Sequence, residues 1–473
     1  MQPINQPEKS RLHWPALIQM ILSLLGSFIL LGAAAAVAIT AIVSSSSTAT
    51  AAQDPTESFM VAASLAFAGI LLLPSAWYAW RFIAYPDKEP ATRPEWRGFG
   101  LVLTLAVVIL VGGALLLGFW SSENNRLTWL LLPPLNIIAT GLPALWVVYL
   151  GSRGLIPGAP RRRWGVLASG LVLGPFIILI LEIILLVFVG ILAILWIMFN
   201  PNLSNQFYSS LVRLRNAGPN LDATLRIMLP YLLNPGILVL VFTFISVLVP
   251  LIEEALKPIG VWLFGRKLTP AQGFGYGVLS GAGFGLFENL GNTSGGATGW
   301  ALLASTRIST LVLHSFTAGL MGWAIASAWS ERRYLRLLIT YIIAVCIHGL
   351  WNGLAVLSLA SSLQGFTSTT IPAIVKQFGV FSDYGIVALG VLVFLLFLSF
   401  NAILQRRLPK PSVTTPNNAL VSTSPAGIPP VSAGEAPSTP AESPSNPLPI
   451  EVPTQTPDAG SDKNPSNPSE FTS

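Results

Sequence analysis

Apolar residues fill the chain in long, nearly unbroken runs, and short segments rich in Pro, Gly and basic residues separate them. A helix that crosses a bilayer needs about 20 such residues in succession, whereas about 10 to 14 suffice for a buried core helix. Ten runs are long enough, at 15–43, 59–84, 98–119, 128–150, 165–199, 236–264, 271–292, 303–329, 334–360 and 382–404. The pattern predicts an all-α polytopic transmembrane helix bundle of about ten spans. Residues 200–235 interrupt it as an extracytoplasmic loop, in which Phe207, Tyr208, Leu211, Val212 and Leu214 beside Arg213 and Arg215 suit either a short interfacial helix or a plain connector.

Composition narrows the class. Of 473 residues, 52% are hydrophobic and 10% charged, against about 25% charged in an ordinary soluble domain. The excess of 26 Lys and Arg over 20 Asp and Glu is spread between the apolar runs rather than gathered on a soluble face, so no nucleic-acid partner is expected. The lipid bilayer is the expected surround. One cysteine and three histidines exclude a disulfide framework or a thiolate metal cluster. With the N-terminus inside, inner segments carry 18 Lys and Arg and outer segments five, from Arg126, Arg213, Arg215, Arg226 and Lys376. That bias predicts a multi-pass cell-membrane protein with both termini cytoplasmic. The first run exceeds a signal peptide's apolar stretch, so an uncleaved anchor is expected despite the small residues Ala49-Thr50-Ala51. The chain thus divides into a cytoplasmic N-terminus (1–14), five spans (15–199), the loop (200–235), four spans (236–360), a loop and last span (361–404) and a tail (405–473). The tail carries 15 prolines with many Ser and Thr, and is expected to be disordered.

An ionisable residue at mid-membrane costs about 2.5–3.5 kcal/mol on insertion scales and is a functional hypothesis by default. The interiors of the first four spans hold none, and the fifth holds Glu182 alone, for which pairing with an Arg or protonation is the simpler expectation. The next four runs hold Glu253, Glu254, Lys257, Glu288, Arg307, His314 and His348. Facing lipid singly they would be prohibitive together, so they are expected to face one another. Within EEALK, Lys257 lies three and four residues after the two glutamates and reaches either one on a helix. It cannot neutralise both, which favours a carboxylate beside a carboxylic acid, the pairing that acid–base work on water needs. Gly273, Gly277, Gly281 and Gly285 form a stripe for close helix packing. The stripe ends at Glu288 and Asn289, whose carboxylate packing does not explain. Arg307 and His314 share one side of the eighth span, and His348 and Asn352 share a face of the ninth. An imidazole handles a proton, and an amide NH2 can stabilise an oxyanion.

The motifs EEALK, FGLFEN, His314 and HGLWN, in that order within 236–360, resemble the PrsW family of intramembrane proteases, related to the group containing type II CAAX prenyl endopeptidases. The resemblance implies endoproteolysis of a membrane-anchored protein substrate, with a role in regulatory proteolysis. It implies that Glu253 activates water with Glu254 beside it, that His348 and Asn352 steady the tetrahedral oxyanion, and that Glu288 and His314 complete the chamber. Lys257, Asn289 and Arg307 support them. HExxH is absent, and a proton satisfies the excess negative charge as well as a cation does. A metal-free, glutamic-type reaction is therefore favoured, with no cofactor. A zinc metalloprotease remains the alternative, its ligands drawn from Glu254, Glu288, His314 and His348. The rival from another class is a proton-coupled transporter, which commonly shows inverted repeats. Residues 1–235 hold no second EExxK or HxxxN.

Overall fold

The computed structural model describes residues 13–46, 54–85, 100–124, 127–155, 158–218, 221–232, 234–362 and 373–408. Most of the expected cytoplasmic N-terminus, Ala49-Thr50-Ala51, most of the 361–372 loop and the tail from 409 lie outside them. The described residues form helices and no strand: α1 (Trp14–Ser46), α2 (Thr56–Ala84), α3 (Gly100–Asn124), α4 (Thr128–Ser152), α5 (Pro160–Met198), α6 (Pro201–Ala217), α7 (Leu221–Leu232), α8 (Pro235–Phe264), α9 (Pro270–Thr293), α10 (Trp300–Glu331), α11 (Tyr334–Ser362) and α12 (Ala373–Arg406). Among the described residues, nine helices are long and apolar enough to cross a membrane, and α9 is not one of them. Its glycines and polar C-terminal end lower its hydropathy. It is still 24 residues long, or about 36 Å at 1.5 Å per residue, and lies buried at the centre of the bundle. Of the two alternatives for the loop, the helix is present as α6, with Tyr208, Leu211 and Val212 exposed.

The core explains why α9 tolerates so little apolar surface of its own. Phe274, Val278 and Leu286 of α9 pack with Leu311, Leu313 and Phe316 of α10, Val147 of α4, Leu72 of α2, and Val393 and Phe397 of α12. The glycine stripe sets the distance to α10. A Cβ on Gly277 would collide with the backbone of Ala318, and one on Gly281 with the carbonyl of His314. This is the close backbone approach that small residues permit in a membrane. A second buried knot joins the N-terminal spans to the core. Asn136 of α4 accepts a hydrogen bond from Trp300 Nε1 at 3.1 Å and donates to Ser64 at 3.3 Å, while Ser64 and Ser294 lie 2.9 Å apart.

Two helices carry π turns, at Ser169–Leu173 in α5 and Phe244–Leu248 in α8. Each ends two residues before a proline, Pro175 or Pro250. A proline ring clashes with the carbonyl four residues earlier and removes one hydrogen bond, and a widened turn relieves both. α8 breaks again at Lys257-Pro258. There Ser280 of α9 donates to the freed Lys257 carbonyl at 2.6 Å.

Candidate active site

Lys257, at the end of the helical stretch before Pro258, points into the bundle and is fully buried. Its Nζ lies 2.8 Å from Glu253 Oε2, 2.8 Å from Glu254 Oε1, 2.7 Å from His314 Nδ1 and 3.2 Å from His348 Nδ1. An ammonium has three hydrogens and no acceptor, so four groups from three helices compete for it. Glu254 Oε1 also meets His348 Nδ1 at 2.9 Å, while His348 Nε2 lies 3.8 Å from Glu253 Oε2. The two imidazoles stand edge to face, 5.2 Å between centroids. Phe284 of α9 closes this side, edge-on to His314 and 4.9 Å below the ammonium.

The network continues outward from His314. Its Nε2 is 2.7 Å from Glu288 Oε2, and Glu288 Oε1 is 2.6 Å from Arg307 Nη2. Arg307 Nε donates to Asn289 Oδ1 at 2.8 Å, and Asn289 Nδ2 donates back to the Arg307 carbonyl at 3.0 Å. Burial is graded along it. The Glu254 and Lys257 side chains are sealed, whereas those of Glu253 and Glu288 are 11% and 33% exposed. The chamber therefore opens along Glu253 and Glu288. Asn352 stands apart: its Nδ2 donates to the Ile245 carbonyl at 3.0 Å, within the π turn of α8. It holds the helix that carries the glutamates rather than facing them.

Residues 162–378 match the family described as PrsW family intramembrane metalloprotease. This segment of the chain is similar to the PrsW family. That family is described as intramembrane proteases, and the matched segment contains every acid, base and amide of the network. No curated protein and no solved structure matches the chain.

The PrsW description names a metal, and the donors present can be tested against one. One ligand atom each from Glu253, His314 and His348 lies within 4.8 Å of the others, whereas ligand atoms on one zinc at bonds of about 2.1 Å stand about 3.4 Å apart. Glu253 Oε2 and His314 Nε2 are buried without regular hydrogen-bond geometry. Glu254 on His348 Nδ1 is the carboxylate–histidine contact that orients a metal-ligating imidazole. The three residues fit a divalent metal after small adjustments. The set differs from the sequence expectation, which had Glu254 and Glu288 as carboxylate ligands and not Glu253.

Glu182, the lone acid of α5, turns its Oε1 into the bundle, where it is buried without a hydrogen-bond partner among the described residues.

Proposed function

We propose that the chain hydrolyses peptide bonds of membrane-anchored protein substrates, with Glu253 as the base that activates water. The supporting observation is the convergence of Glu253, Glu254, His314 and His348 on Lys257, with Glu253 at a partly open mouth. Water bridging the 3.8 Å between Glu253 Oε2 and His348 Nε2 would give a proton to Glu253 as its oxygen bonds to the scissile carbonyl carbon. The C–N bond then breaks as Glu253 passes that proton to the leaving amine. Lys257 holds both glutamates in place, and Glu254 orients His348. Arg307 and Glu288 fix His314, which borders the chamber, and His348 faces the developing oxyanion. The oxyanion role expected of Asn352 has less support, because one amide hydrogen is committed to Ile245. Such cleavage suits regulatory proteolysis of a membrane-anchored protein.

A second reading is favoured by the family description and by the donor set Glu253, His314 and His348. A divalent metal such as zinc held there would supply Lewis-acid polarisation of the scissile carbonyl. Glu253 would then be a ligand instead of a base. Against this, the Lys257 ammonium already sits among the same donors, and a dication beside it would meet like-charge repulsion.

Glu253→Gln in the purified protein is expected to lower cleavage of a membrane-anchored peptide by about 10²–10⁴-fold while the protein stays folded. Unchanged cleavage would reject the reading. Exhaustive chelation separates the two mechanisms: full activity supports the glutamate base, and complete loss restored by zinc establishes the metal.

A further inference from the structure

A cleft of about 570 Å³ runs between α2, α4, α5 and α9, separate from the acid–histidine chamber. That is within the range of about 300–1,000 Å³ typical of ligand sites. Its lining extends from Phe67 to Tyr78 along α2 and from Ile137 to Val148 along α4, and includes Arg163 and Trp164 from the first turns of α5. α2 and α4 end where α5 begins, with Arg161 of α5 stacked 4.5 Å over Phe82 of α2. Tyr78, Arg163 and Trp164 therefore gather at one end of the cleft, and Phe67, Ile138 and Leu286 line its depth. Leu145, 55% exposed, stands at the rim. Between Ile137 and Val148 α4 advances about 16 Å, close to half of the about 30 Å of hydrocarbon in a bilayer. An α-helix about 10 Å across fills roughly 1,250 Å³ over that length, twice the cleft, so extended hydrocarbon chains suit it and a helix does not.

We propose that this cleft binds an anionic phospholipid, with acyl chain against Phe67, Ile138 and Leu286 and the headgroup phosphate on Arg163. Charge selects the headgroup: between Gly151 and Leu181 the chain has Arg153, Arg161, Arg162 and Arg163 and no acid. Arg161 is committed to the bundle, its Nη1 3.3 Å from Gln19 Oε1, whereas Arg163 borders the cleft. A guanidinium meets a phosphate through two parallel N–H donors. Tyr78 and Trp164 beside it are of the residue types that sit at headgroup depth. The Lys and Arg bias predicts that this end is cytoplasmic, the side on which anionic lipid carries a negative surface potential. The inference does not depend on the hydrolytic role of Glu253.

The full-length protein, stripped of lipid in detergent, is titrated with palmitoyl-oleoyl-phosphatidylglycerol, with palmitoyl-oleoyl-phosphatidylcholine or with inorganic phosphate. Retained ligand is counted by native mass spectrometry, and the unfolding midpoint is followed in parallel. Phosphatidylglycerol is expected to be retained and to raise the midpoint as its concentration rises. Phosphatidylcholine, with no net charge, and free phosphate, with no acyl chain, should each fall short of it. Arg163→Gln is expected to weaken phosphatidylglycerol binding about fivefold and to leave phosphatidylcholine binding unchanged. Equal binding of the two lipids, equal stabilisation by free phosphate, or unchanged phosphatidylglycerol affinity in the variant overturns the proposal. Should the variant fail to fold, the parent protein decides. Phosphatidylglycerol carrying a diazirine on an acyl chain should label residues 137–148 or 279–286, and labelling confined to other segments overturns the site.

Discussion

Removing Lys257 would strand two glutamates and leave two imidazoles without their shared donor, all of them deep in the bundle. Breaking a buried charge pair by deleting one partner costs about 3–5 kcal/mol, because the remaining charge stays desolvated. Lys257→Met is therefore expected to lower the unfolding midpoint in detergent sharply, and adding Glu254→Gln to recover part of the loss. A single variant as stable as the parent would mean that charge compensation is not what Lys257 contributes. At this scale the sequence carried much of the answer. Acids and histidines inside apolar runs have to be brought together, and Lys257 reaches Glu253 and Glu254 through helical spacing alone. It could not show that Glu182 turns its Oε1 into the bundle, because a lone acid in an apolar run has no spaced partner to fix its direction. Nor could it show that Asn352 donates to Ile245, since the acceptor is a carbonyl freed by a π turn.

The helix that carries Glu253 and Glu254 departs from a regular span where it approaches the chamber. The π turn of α8 ends before Pro250, and one residue of register rotates everything beyond it by about 100° on a helix. Pro250→Ala permits the regular i to i−4 ladder through Ser246. It is expected to raise thermal stability while lowering cleavage, because Glu253 and Glu254 would turn away from His314 and His348. Raised stability with unchanged cleavage would show that the bulge does not set their direction. The opposite face of the site depends on the α9–α10 approach. Gly281→Ala places a Cβ against the His314 carbonyl, and overpacking of this kind costs about 1–3 kcal/mol. Both the melting temperature and cleavage should fall, whereas Gly291→Ala, where a Cβ meets open space, should change neither. The stripe was legible as a four-residue repeat. The two π turns were not, because proline marks a disturbance in a helix without specifying how the helix absorbs it.

The division of the molecule into a five-span leader and a four-span core is visible along the chain but is not how it packs. Val147 and Ala144 of α4 and Leu72 of α2 belong to the same buried cluster as Val278 and Leu286 of α9. Asn136 and Ser64 close a hydrogen-bonded knot with Ser294 and Trp300 at the junction of α9 and α10. α9 has too little apolar surface to face lipid alone, so the helices that cover it must come from elsewhere in the chain, and α2 and α4 supply that cover. Apolar length marked α9 like the other nine runs, but its central place in the bundle follows from its packing, since its hydropathy falls below that of the nine. A chain beginning at residue 158 retains all the network residues and the whole of the family segment. It is nonetheless expected to be lost to degradation or aggregation, because α9 would expose the face that α2 and α4 cover. Co-expressing residues 1–157 as a separate chain should restore folded, active protein in part, as measured by detergent-stable copurification and cleavage. A truncated core that is monodisperse and fully active by itself would show that the N-terminal spans are separable from the catalytic bundle.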